Sequence, residues 1–232
     1  LLQNIIYTKM KKNNNLLELI KVLNDSFNQL ELNRFNNAFI ASDISCLSKL
    51  RIKKADISET IFNSLKSSLS KNSTIFVPTG NIDLCNTNTI FDLDNSPSKN
   101  MGVFSEHVRK KKETIRSLHP YWSVSGNGMN SNLLKNVSKH SYGVGSPWSI
   151  MLDLDTIQIN IGKHPSRAVT LIHHLETVSG VPYRYNKQFF HKIRCKNKIL
   201  IKDFYMSVFF KKLDLKKKID LNEHYFKILK RK

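Results

Sequence analysis

Two short apolar runs bracket one amphipathic helix, and that rhythm limits the chain to few architectures. Asn37-Ala38-Phe39-Ile40-Ala41-Ser42 and Thr74-Ile75-Phe76-Val77 are too short for helices and apolar at successive positions, the pattern of strands buried on both faces. Between them Ile57, Ile61, Phe62, Leu65 and Leu69 recur at three and four, the spacing of a helix with one apolar side. Strand, helix, strand in that order predicts an α/β fold. The first run delivers Ser42, Asp43 and Ser45 at its carboxyl end, where open α/β sheets hold their ligands. Asp43 or Ser45 would equally serve as the cap of the next helix.

Around this centre the chain divides into three parts. Residues 1–36 form a helical region, with Leu16, Leu19, Ile20, Leu23, Phe27 and Leu30 on one face. Residues 37–190 form the α/β core, and 191–232 form a Lys-rich region of short strands and helical text. Residues 81–99, rich in Asn, Asp, Ser and Thr, read as a long loop of the kind that tends to carry function. Met101, Phe104 and Val108 return to helical spacing, and Ile157-Gln158-Ile159-Asn160-Ile161 alternates as a strand.

The net charge of +19 over 232 residues points to an anionic partner. No helix-turn-helix, ribonucleoprotein aromatic signature or zinc finger accompanies it, so the lysines read as a solvated face and nucleic acid is not the expected partner. No run of 18 apolar residues exists, so membrane insertion is not expected and the cytoplasm is the expected compartment. Cys46, Cys85 and Cys195 are too few and too widely spaced for a disulfide framework or a metal cage; they are expected as free thiols, without a metal.

Three stretches hold residue types that do chemistry. Thr170-Leu171-Ile172-His173-His174-Leu175-Glu176, read as a helix, sets His173 and Glu176 about 60° apart on one face, within hydrogen-bonding reach. An imidazole oriented by a carboxylate is a general base suited to neutral pH, although an incidental i, i+3 pair has the same spacing. Arg116-Ser117-Leu118-His119-Pro120-Tyr121-Trp122-Ser123 brings an Arg, a His and two aromatic rings together within seven positions. Gly143-Val144-Gly145-Ser146-Pro147 is a glycine-rich turn whose backbone amides can approach a ligand closely.

Taken in order, these pieces resemble the aminoglycoside 3-N-acetyltransferase family, which is distinct from the GNAT acetyltransferases. Phe91-Asp92, Ser96-Pro97-Ser98-Lys99-Asn100-Met101-Gly102 and Glu106 are similar to the family's FDP, TPS-x-MG and E segment. Arg116-Ser117-Leu118-His119-Pro120 with Ser123 resembles its RS-x-HP and S motif, Ser146-Pro147 its GSP, and Thr170, His173 and Glu176 its T-x-x-H-x-x-E, with Gly180-Val181-Pro182-Tyr183-Arg184 behind. The resemblance implies a layered α/β/α sandwich of that family's type, and transfer of an acetyl group from acetyl-CoA to an amine of an aminosugar, free or nucleotide-linked. It implies His173 as catalytic base with Glu176 as its orienting carboxylate. His119, Ser123, Asp43 and Trp122 would line the acceptor side, and Ser42, Ser45, Ser98, Lys99, Met101, Arg116 and Ser146 the acetyl-CoA side. It allows a homo-oligomer.

Two departures concern the acceptor. Trp122 stands where many members carry a second histidine, and Ala41 where a His often precedes the first serine loop. That loop, Ala41-Ser42-Asp43-Ile44-Ser45, is more similar to members of surface-polysaccharide pathways than to antibiotic-resistance enzymes. The last 48 residues match poorly and are shorter than usual for the family. The competing readings are an aminoglycoside resistance enzyme, a relative that binds CoA or a sugar without catalysis, a hydrolase or ping-pong transferase using Cys46, and a basic nucleic-acid-binding protein.

Overall fold

The computed structural model describes residues 15–164, 168, 170–196 and 198–210, so most of the Lys-rich end lies outside the described residues. Helices α1 (Asn15–Gln29) and α2 (Lys54–Ser68) flank strand β1 (Asn37–Ser42), and β2 (Thr74–Pro78) follows. Then come β3 (Phe91–Asp92), α3 (Val103–Arg109), β4 (Ile115–Arg116), β5 (Val124–Gly128), α4 (Pro147–Asp153), β6 (Ile157–Ile161), α5 (Leu171–Val178), β7 (Arg184–Cys195) and β8 (Lys198–Phe209). The elements form a five-stranded sheet in the order β4-β5-β2-β1-β6 and a three-stranded sheet in the order β3-β7-β8. No described helix is long and apolar enough to cross a membrane.

Strand periodicity explains the layers. Ala38 and Ile40 of β1, with Ile75 and Val77 of β2, face a core shared with Leu19, Leu23 and Phe27 of α1 and with Ile57, Ile61 and Leu65 of α2. Their neighbours Phe39, Ala41 and Phe76 point to the opposite face, against Trp148 and Met151 of α4. Phe39 meets Trp148 at 4.7 Å between ring centroids. Each such buried large side chain contributes about 2 kcal/mol of transfer free energy, and both faces are needed because β1 is buried along its whole length.

β1 pairs in parallel with β2 and β6, while β5 runs antiparallel beside β2 with Pro78 opposite Val124. The carboxyl ends of β1, β2 and β6 therefore meet the start of β5 at one rim, and loops from four strands converge there. Gly162 makes that convergence possible: its φ is +68°, and a Cβ there would lie 2.0 Å from the carbonyl oxygen of Asp43.

Two boundaries differ from the sequence expectation. α1 packs into the same core as α2, so residues 15–36 are part of the sandwich and not a separate region. The boundary expected after residue 190 falls inside β7, which pairs with β8 over twelve residues, from Arg184 opposite Phe209 to Cys195 opposite Lys198. Phe189, Ile193, Phe204 and Met206 of this hairpin pack with Phe91 and Tyr121 in a third core. The expected fragments after Arg184 are one continuous hairpin.

Candidate active site

A cavity of about 340 Å³ opens at the shared rim, within the size range of small-molecule sites. Phe39 and Ala41 form its floor, Met101, Trp122 and Trp148 supply apolar walls, and Lys163 and Thr170 stand on the side of α5. Gly80 lets the wall close, because a Cβ there would lie 2.2 Å from the carbonyl oxygen of Tyr121. Ser42 also lines it, buried, with its hydroxyl lacking a hydrogen-bond partner among the described residues. A buried hydroxyl without a partner is costly in a finished fold and fits a group that a ligand completes.

Thr170, the N-cap of α5, lines the cavity; His173 and Glu176 do not, but the His173 amide donates to the Thr170 carbonyl at 3.1 Å, which sets the pair in the first turns of the same helix. Nδ1 of His173 lies 3.0 Å from Oε2 of Glu176, and the hydroxyl of Tyr183 donates to Oε1 of Glu176 at 3.0 Å. Burial raises the Glu176 carboxyl, but the hydrogen bonds from His173 and Tyr183 and the charge of Arg184 outweigh it, and the carboxyl sits below its ordinary range. Tyr142 turns its ring edge to His173 with centroids 5.6 Å apart, and it also lies beside Trp122 of the cavity wall. The His173 side chain is 37% exposed, so the ring reaches solvent while its partner carboxylate, at 16%, is largely covered.

The other expected site residues separate into those at the cavity and those used by the fold. Ser42, Met101, Trp122 and Ser123 line the cavity. Asp43 and Ser45 sit just outside it: Asp43 caps the 3-10 turn Ile44–Leu50 by accepting from the Ser45 amide, the alternative its sequence allowed. Ser98 donates its amide to Glu106 at 2.9 Å and borders a neighbouring surface cleft, while Lys99 is exposed next to it. Ser146 is fully buried and caps α4 through the Ser149 amide, so its hydroxyl is engaged by the helix and it does not line the cavity.

Arg116 and His119 are corrected more sharply. Arg116 is buried, with Nε donating to Ser123 Oγ at 2.9 Å and its terminal nitrogens to the carbonyls of Ser96, Leu93 and Thr79. Its guanidinium is engaged inside the protein and does not line the cavity, and burial holds it down to about 10. His119 is 2% exposed, accepts the Trp122 amide on Nδ1 at 3.0 Å and faces the Tyr205 carbonyl with Nε2 at 3.3 Å. Burial pushes its imidazole down to about 4. It supports the segment that carries Trp122 and does not itself line the cavity.

Tyr142, Tyr183, Arg184 and Trp148 carry no role in the sequence reading. Tyr183 and Arg184 belong to a segment already singled out, and only the turn after α5, which folds back on Glu176, reveals what they contact. Cys46 is a free thiol that packs against the first core with its sulfur 3.8 Å from the Asp43 carbonyl, and burial pushes it up, which leaves no activated nucleophile there. No cluster able to hold a metal occurs among the described residues.

The model of the family described as aminoglycoside 3-N-acetyltransferase matches residues 45–200. No curated protein matches the chain. Among solved structures, the YokD protein from Bacillus subtilis is similar at 17% identity over 82% of each chain, with a TM-score of 0.70. AAC-IIIb in a binary complex with CoASH is similar at 19% identity over 83% of this chain and 76% of that one, with a TM-score of 0.69. AAC-VIa bound to sisomicin is similar at 17% identity over 82% and 75%, with a TM-score of 0.70. At such identities the likeness is one of fold.

Proposed function

Since the chain belongs to the aminoglycoside 3-N-acetyltransferase family, and is thereby an acetyl-CoA-dependent N-acetyltransferase, we propose that its acceptor is an amine of an aminosugar and that His173 is the general base. The observation that carries this reading is the His173–Glu176 contact at 3.0 Å, one helical turn from the cavity rim. An ammonium cannot attack a thioester until it loses a proton. With Nδ1–H directed to Glu176, the Nε2 lone pair of His173 is free to take that proton. The C–N bond forms as the carbonyl becomes tetrahedral, the C–S bond breaks, the imidazolium returns the first proton to the departing sulfur, and the second proton of the new N–C nitrogen is released to solvent, leaving the neutral amide and the free thiol.

The acetyl thioester fits the cavity by the nature of its walls. The Ser42 hydroxyl is a donor in search of a partner, available to the oxygen that gains charge in the tetrahedral intermediate. Trp122 and Trp148 offer flat apolar faces, and Lys163 and Lys99, both exposed, supply charge for phosphates outside it.

For the acceptor, we favour an amino sugar destined for a surface glycan over an aminoglycoside drug, with a nucleotide-linked sugar as its expected form. Ala41 on the cavity floor and Trp122 in its wall narrow the acceptor side with apolar surface. Related structures were obtained with sisomicin and with apramycin, which keeps drug acetylation as the second reading. The cytoplasm, where acetyl-CoA is formed, is the compartment this activity requires. The discriminating assay follows thiol release from acetyl-CoA with nucleotide-linked amino sugars, sisomicin and apramycin in parallel. Turnover of the first class supports the glycan reading; turnover confined to the antibiotics replaces it with the second.

A further inference from the structure

Arg116 stands between two openings. It donates to Ser123 in the wall of the catalytic cavity, and it also lines a second cleft of about 700 Å³, within the size range of small-molecule sites. The loop after β3, the end of α3, strand β4 and the 3-10 turn Met129–Asn136 enclose this cleft, and no described residue lines both openings.

The charge of the second cleft is one-sided. Arg109, Lys110, Arg116 and Lys135 line it, against the single carboxylate of Asp94. Glu106, just behind, answers Arg109 through two contacts at 2.8 Å and reaches Lys110 at 3.4 Å. Arg116 differs from these. It is 7% exposed, and its partners are the Ser123 hydroxyl, the carbonyls of Leu93, Ser96 and Thr79 and the face of Phe91, all of them uncharged. Those contacts fix the guanidinium in place, yet no carboxylate pairs with it among the described residues. A buried charge without a counter-ion is costly, and the like charge of Arg109, itself largely buried, stands nearby.

Setting Glu106 and Asp94 against the four cations leaves two positive charges. A phosphate dianion matches that number and a monocarboxylate does not. The cleft is also wider than a bare ion requires: Leu93, Ile115, Leu118 and Leu134 give it apolar surface. We propose that this cleft is a second ligand site, which takes a phosphorylated small molecule with its phosphate towards Arg116, Lys110 and Lys135 and its organic part on those apolar side chains. The site stands apart from the acetyl-transfer reading, and neither depends on the other.

The test is titration of the folded chain with inorganic phosphate and with adenosine monophosphate, followed by the amide NMR resonances of Asn95, Thr114 and Lys135. Saturable binding that moves these amides is expected, and adenosine, which lacks the phosphate, binds about tenfold or more weakly than its monophosphate. Lys110→Glu joined to Lys135→Glu weakens adenosine monophosphate about tenfold or more without disturbing the buried Arg116. Lys21→Glu joined to Lys53→Glu, at positions exposed elsewhere, makes the same change in net charge and leaves the affinity within about twofold. Failure of both probes to move the cleft amides overturns the proposal. Equal weakening by the two pairs of substitutions also overturns it, since the binding is then only the adventitious attraction of anions to a basic chain. Displacement of adenosine monophosphate by one equivalent of acetyl-CoA does so as well, because the cleft then belongs to the donor site.

Discussion

Nε of Arg116 donates to Oγ of Ser123 at 2.9 Å, and this bond turns a residue expected to hold a phosphate into a strut of the cavity wall. The guanidinium ties β4 to the end of β2 through the Thr79 carbonyl and to the long loop through Ser96. It also stands 4.9 Å over the ring of Phe91.

Arg116→Met removes the guanidinium donor from the carbonyls of Leu93, Ser96 and Thr79 and from the Ser123 hydroxyl, which keeps only the Thr79 hydroxyl at 3.3 Å. The expected cost is about 3 kcal/mol, measured by chemical denaturation, with acetyl-CoA affinity of the folded variant unchanged within twofold. A variant of native stability that had lost acetyl-CoA affinity would restore the phosphate-holding role.

His119 predicts how stability varies with acid. Its folded value of about 4 lies below the ordinary 6.5, so the unfolded chain takes up the proton first as pH falls. The neutral buried ring costs nothing above pH 6.5. Between 6.5 and 4 it withdraws stability, up to about 3 kcal/mol in all. His119→Gln preserves an acceptor for the Trp122 amide and a donor for the Tyr205 carbonyl but does not titrate. Its denaturation free energy is expected to vary less with pH across that window; the same slope as the native chain would assign the acid sensitivity elsewhere.

Gly162→Ala tests the loop geometry at the rim. At φ +68°, with Asp43 carbonyl oxygen 2.0 Å from the added Cβ, the β6 exit must move. A loss of about 2 kcal/mol or more is expected in thermal or chemical unfolding, since both backbone strain and the clash contribute. A neutral substitution would mean that the rim is assembled differently.

Much of this was legible in the sequence, and the gaps have physical causes. β1 and β2 announce themselves because residues on both of their faces are apolar, and α5 because its polar pair falls at i, i+3 on a helical face. The β7–β8 hairpin does not. Its inner face holds Phe189, Ile193 and Phe204, but its outer face exposes Phe190 and Ile201 at 69% and 66%, so no polar alternation marks the strands. Arg116 and His119 mislead for another reason. Their chemistry suits a site, but their partners are backbone carbonyls and amides, which side-chain identity does not reveal. Arg184 shows the converse: its place in the sequence is plain, and its contact with the dyad needs the turn after α5.

The central claim is that His173 accepts the proton from the attacking amine. The measurement that tests it most directly is acetyl transfer by His173→Ala against the native chain, with acetyl-CoA binding followed by calorimetry on both. The account predicts intact binding and a fall in turnover of about 10³-fold. A folded variant that binds acetyl-CoA and transfers at the native rate would contradict it.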